Sequence, residues 1–222
     1  MKPTIYVSHN VPAFLPRQVI RDLRALWAAE EAGVAYDIHW LNSGEGALKA
    51  PAYLAVHPFG IVPALSEGEF KLVESGAIVS YLCDKTGKCI PEPRSKERAL
   101  YDQWCFTALN TMEPPLLQLF VASVIAKDMA WAKERAPQLR DLSAARLGVL
   151  DAHLKDRPYL LGEEFSGADI LMGQTLNFIV DGTLFEHVPL VKSYHARLKA
   201  RPAYARAATA QSQGPKTAAA AR

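Results

Sequence analysis

Gly60-Ile61-Val62-Pro63-Ala64-Leu65, followed one hairpin later by Glu74-Ser75-Gly76-Ala77-Ile78, decides the fold. A Val-Pro step between a glycine and a short apolar strand is a place where a cis proline can turn the backbone, since a cis X-Pro bond costs only about 0.5–1 kcal/mol. Such a turn at a sheet edge leaves the N–H and C=O of Val62 open to an extended peptide, which adds as a short extra strand. Ser75 opens a predicted helix whose first N–H groups and positive dipole end favour a carboxylate. Glu74 beside it offers a partner for an ammonium.

Outward from this stretch, the N-terminal half mixes strands and helices. Thr4–Val7 reads as a short buried strand, and Pro12 and Pro16 then keep the chain irregular. A helix is predicted from about Arg17, with Val19, Ile20, Leu23, Leu26 and Trp27 at helical spacing and Gly33 as its stop. Val34–Trp40 reads as a second strand and Pro51–Val56 as a short helical turn. Pro63–Leu65 and Phe70–Val73 read as a hairpin around Glu67-Gly68, and Ser75–Lys85 as a closing helix. The order βαβαββα is that of an α/β thioredoxin-like domain.

Near Cys89-Ile90-Pro91-Glu92-Pro93-Arg94 the pattern turns to helix throughout, which predicts a second, all-α domain. The expected organisation is a domain over 1–86, a linker over 87–94, a helical domain over 95–210 and a flexible tail over 211–222. Helices are predicted at about Ser95–Met112, Leu116–Glu134, Pro137–Lys155, Gly167–Asp181, Val188–Arg201 and Ala203–Ala210, with a kink or break at Pro114-Pro115. In Phe165-Ser166-Gly167-Ala168-Asp169-Ile170, Ser166 reads as an N-cap facing Asp169, while Phe165 and Ile170 occupy the positions of a hydrophobic staple.

Half of the 222 residues are apolar, enough for a sizeable core. Twenty-five Lys and Arg against 23 Asp and Glu, with no basic run, argue against a nucleic-acid partner. The longest apolar stretch, Leu116–Ala126, is too short to span a bilayer, and no charged and apolar leader opens the sequence, so a soluble cytoplasmic protein is expected. Cys83, Cys89 and Cys105 fit no metal or redox spacing and are expected to be inert thiols. No metal is expected.

One backbone clamp, one carboxylate pocket and one ammonium partner match the γ-glutamyl and cysteinyl parts of glutathione. His57 to Leu82, reading HPFGIVPALSEGEFKLVESGAIVSYL, resembles the cis-proline strand, hairpin and Glu-Ser helix start of the glutathione transferase family. The capping segment at Ser166–Asp169 is similar to the N-capping motif of that family's helical domain. The resemblance covers roughly residues 1 to 210 and implies a homodimer that uses glutathione as co-substrate. It implies glutathione contacts at Ile61, Val62, Pro63, Glu74 and Ser75, and conjugation of the thiol to a hydrophobic electrophile. A glutathione-dependent isomerase or dehalogenase, or a non-catalytic binding protein on the same fold, are the alternatives, because fold does not fix function.

A thiol of pKa about 8.5 is only slightly ionised at neutral pH, and the thiolate is the nucleophile. A hydrogen bond to a charged acceptor contributes about 1.5–3 kcal/mol, so one well-placed donor lowers such a pKa by one to two units. Donors at the end of the first strand are Tyr6, Ser8, His9 and Asn10, with Ser8 preferred, then Asn10. The sequence departs from the family here, with a longer loop before Arg24-Ala25-Leu26-Trp27. It departs also at Ile61, where many relatives carry a polar residue for the peptide's terminal carboxylate; Lys49, His39 or His57 are the substitutes. Tyr101, Trp104, Ala108 and Met112 share one face of the first helix after the linker. The resemblance makes Tyr101, Trp104 and Ala108 lining for an electrophile pocket.

Overall fold

The computed structural model describes residues 1–180 and 182–215. Contacts divide the chain into two units, one of residues 1–86 together with the segment from Pro202 onward, the other of Gly87–Arg201. The expected 95–210 domain is thereby corrected at its end, because the last helix belongs with the N-terminal unit. Among the described residues no helix is long and apolar enough to cross a membrane.

In the first unit, β1 (Thr4–His9), α1 (Asp22–Ala32), β2 (Asp37–Asn42), α2 (Pro51–Leu54), β3 (Ala64–Glu67), β4 (Phe70–Val73) and α3 (Ser75–Asp84) follow the expected βαβαββα order. The sheet runs β2-β1-β3-β4. β1 is parallel to β2 and antiparallel to β3, with Tyr6 paired to Ala64. α1 begins later than predicted: Leu15 N–H bonds to the Pro12 carbonyl, Arg17–Val19 form a single 3-10 turn, and α-helix starts only at Asp22. Gly33 stops it in the left-handed region, with φ 71°, where a glycine avoids the Cβ penalty. The core stripe of α1 includes Leu23, Leu26 and Trp27, none with exposed surface.

The last helix, which we number α9 (Pro202–Ser212), lies on α1 within this unit: the Trp27 and Tyr204 rings meet edge-on at 4.9 Å, and Arg206 pairs with Glu30 at 2.6 Å. Gln211, expected in a flexible tail, is a buried residue of this helix. Residues 216–222 of that expected tail lie outside the described residues.

In the second unit, α4 (Lys96–Phe106) continues through a π-helical turn, Thr107–Met112, into α5 (Glu113–Phe120) and a second π turn, Val121–Ile125. Of the kink or break expected at Pro114-Pro115, the break is absent, since the helix continues through both prolines. Neither proline has an N–H to give to the carbonyls four residues back, Asn110 and Thr111. The wider turn falls where those bonds are missing, and the Arg146 guanidinium donates to the Thr111 carbonyl. α6 (Ala130–His153) runs unbroken through Pro137, and α7 (Gly167–Leu176) and α8 (Pro189–Lys199) complete the unit. α7 ends earlier than predicted; Asp181, the expected terminus, is not among the described residues.

α7 starts as its sequence predicts. Asp169, with no exposed surface, accepts from Ser166 N–H (2.8 Å), Ser166 Oγ (3.0 Å), Leu160 N–H (3.0 Å) and Tyr194 Oη (2.8 Å). Phe165 beside it carries the Arg201 guanidinium over its ring at 3.7 Å and meets Tyr159 edge-on.

Candidate functional site

The Val62–Pro63 peptide bond is cis. Neither backbone polar group of Val62 takes part in a hydrogen bond among the described residues, whereas the preceding Ile61 carbonyl accepts from Tyr53 Oη at 2.5 Å. The Val62 side chain packs on the cluster of Leu41, Tyr53 and Ala64, so its backbone edge stands on a filled core. The β1/β3 ladder ends at the pair Tyr6–Ala64, and Ala64 directly follows Pro63.

Gly60 makes the approach to this turn. Its φ is +60°, and a Cβ there would stand 2.4 Å from the Leu48 carbonyl and 3.1 Å from Lys49 Nζ. Lys49 donates to the Phe59 carbonyl at 3.2 Å, leaving an exposed ammonium beside the turn. Ile61 is half exposed and offers no polar group at its side chain. His57 is corrected as a carboxylate partner: it is buried, its Nδ1 meets no partner, and burial pushes its pKa down against the opposing charge of Glu74. His39 stays exposed, its ring 4.9 Å from that of Tyr6.

Glu74 and Ser75 are placed differently at the start of α3. Glu74, at φ 71°, is the exposed residue before α3. Ser75 is buried, and its Oγ accepts from Arg24 Nη1 at 3.0 Å. The buried Arg24 guanidinium therefore lies against the residue that opens α3, whose first backbone N–H groups have the positive dipole end that favours an anion.

At the end of β1, Ser8 is nearly buried and its hydroxyl bonds to that of Ser43. Either hydroxyl can donate; with Ser43 as donor, the Ser8 proton is left for another acceptor. Asn10 is exposed at φ 58° and donates Nδ2–H to Asn42 Oδ1 at 2.9 Å, with its second amide proton to spare. Tyr6 Oη shares a contact with Ser66 Oγ at 3.4 Å and its ring packs on Tyr53 at 5.6 Å, a structural placement in the sheet. The residue that sequence reasoning missed is Asp22, a carboxylate with no exposed surface that accepts Ser8 N–H at 2.9 Å. At the first turn of a helix it reads in sequence only as a favourable dipole partner.

The helical unit departs from expectation. Tyr101 and Ala108 have no exposed surface, so they are corrected from pocket lining to core. Trp104 is half-buried, its ring 4.3 Å from that of His153. None of the three cysteines is in a disulfide; burial pushes the Cys105 thiol up to about 12, in keeping with an inert group.

A four-stranded mixed sheet with a cis proline directly before β3, and a helix that opens at Ser75 directly after β4, defines a thioredoxin-like fold. Sequence comparison is more specific. The profile for the glutathione S-transferase N-terminal domain matches residues 10–84, and that for the C-terminal domain residues 112–202. Glutathione S-transferase F9 of Arabidopsis thaliana is 34% identical over 152 residues, 66% of this chain and 71% of that protein. Disulfide-bond oxidoreductase YfcG of Escherichia coli is 32% identical over 187 residues, 78% of this chain and 83% of that one. A crystal structure of a glutathione transferase from Burkholderia graminis, with two glutathione molecules bound per subunit, superposes with a TM-score of 0.83 at 26% identity, covering 96% of this chain and 90% of the other. The chain belongs to the glutathione transferase family.

Proposed function

We infer that the protein is a glutathione transferase, with glutathione as co-substrate. The supporting observation is the backbone of Val62, cis before Pro63 and without a hydrogen bond among the described residues. The cysteinyl part of glutathione pairs with Val62 along the Ile61-Val62-Pro63 edge. Its γ-glutamyl carboxylate meets the first N–H groups of α3 at Ser75, and its ammonium meets Glu74. Lys49 takes the terminal carboxylate in place of a side chain at Ile61. Ser8, or failing it Asn10, donates a hydrogen bond to the sulfur and holds it as thiolate. The thiolate then attacks a hydrophobic electrophile, with proximity and orientation supplying much of the remaining acceleration. The protein acts as a cytoplasmic homodimer.

Retention on immobilised glutathione, abolished by Glu74→Ala, tests the binding step. Conjugation of chlorodinitrobenzene by wild type, Ser8→Ala and Asn10→Ala tests the chemistry; equal rates in all three remove the activation assignment. A second reading, reduction of a disulfide with release of glutathione disulfide, is favoured by the relative named as a disulfide-bond oxidoreductase. Turnover of a small disulfide in place of the electrophile separates the two.

A further inference from the structure

The end of β1 is held by a network that reaches the last helix. Asp22 accepts Ser8 N–H at Oδ2 and, at 2.5 Å, Gln211 Nε2–H at Oδ1. Arg17 closes the other side: its Nη2 donates to the Ser8 carbonyl and, at 3.2 Å, to the Gln211 carbonyl, and lies 3.7 Å from Asp22 Oδ2. One ion pair thus takes both main-chain polar groups of Ser8, and one residue of α9 bonds to both members of that pair. Asp22 has no exposed surface and Gln211 only 1%. Burial pushes the Asp22 carboxyl up, against Arg17, Gln211, Ser8 and Leu23. In such a network, loss of one donor leaves a buried charge less compensated and the rest free to shift. An open cleft of about 570 Å³ joins the same parts, with His9, Asn10 and Arg17 on one side and Gln211 on the other.

We propose that Gln211 is a positioning residue for thiol activation, fixing through Asp22 and Arg17 the backbone of Ser8 and, with it, the donors Ser8 and Asn10. The proposal rests on the reading that one of those two donors activates the thiol. Gln211 touches no substrate. Its effect appears in the ionisation of bound glutathione more than in its affinity, because Val62, Glu74 and Ser75 lie outside the network.

The test follows the ultraviolet absorbance of the bound thiolate against pH, together with kcat and the glutathione Kd, in wild type, Gln211→Met, Ser8→Ala and Asn10→Ala. Gln211→Met, of similar length but without a donor, is expected to raise the bound thiol's pKa by about one unit and lower kcat about tenfold, with Kd changed less than about threefold. A merely structural role lowers thermal stability without moving that pKa. Wild-type pKa and kcat in Gln211→Met, alongside a loss of both in Ser8→Ala or Asn10→Ala, overturn the positioning role and leave the activation reading standing. Unchanged pKa in both Ser8→Ala and Asn10→Ala removes the reading and the proposal together. Should Gln211→Met not fold, Gln211→Glu decides. Its carboxyl faces Asp22 from α1 and Arg17 from the preceding turn, and restores the donor only when protonated. Its kcat relative to wild type is expected to rise as pH falls; a ratio of one at every pH overturns the proposal.

Discussion

Arg24 Nη1 and Ser75 Oγ meet at 3.0 Å between α1 and α3, and both residues are buried. The side chain of the serine that starts α3 is therefore occupied by a cation, and its backbone N–H is the group the proposed site offers to a carboxylate. The arrangement separates the Glu74-Ser75 pair: on the proposed reading Ser75 serves both the fold and the ligand, whereas exposed Glu74 serves the ligand.

Ser75→Ala removes the acceptor of a charged, buried donor, and is expected to cost about 1–3 kcal/mol of stability. Glu74→Ala at an exposed position is expected to stay within about 0.5 kcal/mol of wild type. Both weaken glutathione binding. Urea unfolding beside calorimetric titration with glutathione checks the split, and equal stability losses in the two variants would count against it.

Gly60→Ala is expected to lose glutathione retention along with stability. The left-handed φ of +60° costs an alanine about 1 kcal/mol, and the new Cβ would stand 2.4 Å from the Leu48 carbonyl, so backbone must move. The movement falls on Ile61 and Val62, next in the chain. A stable variant that still binds the immobilised peptide at wild-type strength would sink this account of the turn.

In the helical unit, Ser166→Ala and Asp169→Ala are expected to differ widely. The serine is one N-cap, typically worth about 1 kcal/mol. Asp169 accepts four hydrogen bonds in a site without solvent. Its removal strands two backbone N–H groups and two hydroxyls, each costing about 1–3 kcal/mol if left unpaired. Chemical denaturation is expected to show a loss for Asp169→Ala at least about threefold that for Ser166→Ala.

What could be read from sequence was local. Val62-Pro63, the Glu74-Ser75 helix start and the Ser166–Asp169 cap each carry their cause within a few residues, and each appears where expected. Gln211 was illegible for the opposite reason. Next to Gly214-Pro215 and a run of alanines it has the composition of a tail, and its burial comes from a carboxylate 189 positions earlier. Tyr101 and Ala108 show a different limit, since helical spacing places residues on one face without saying whether a pocket or core covers it. At Pro114-Pro115 the missing donors were legible, but the π turn and the Arg146 bond that accommodate them depend on α6.

His195 gives the helical unit a pH-dependent stability with a definite sign. Its Nε2 meets Asn177 Oδ1 at 2.9 Å and its ring stacks on Phe185, with centroids 5.5 Å apart. Burial, followed by the charge of Lys199, pushes its pKa down to about 4. Well above pH 6.5 the imidazole is neutral in the folded and unfolded chains alike, so it adds no pH dependence there. As pH falls from 6.5 towards 4 the unfolded chain takes up the proton first, and folding loses up to about 3 kcal/mol by the end of that window. His195→Gln retains a polar side chain for Asn177 and removes the titration. Urea midpoints between pH 7.5 and 4 are expected to fall more steeply for wild type than for His195→Gln; parallel slopes would show that the proton goes elsewhere.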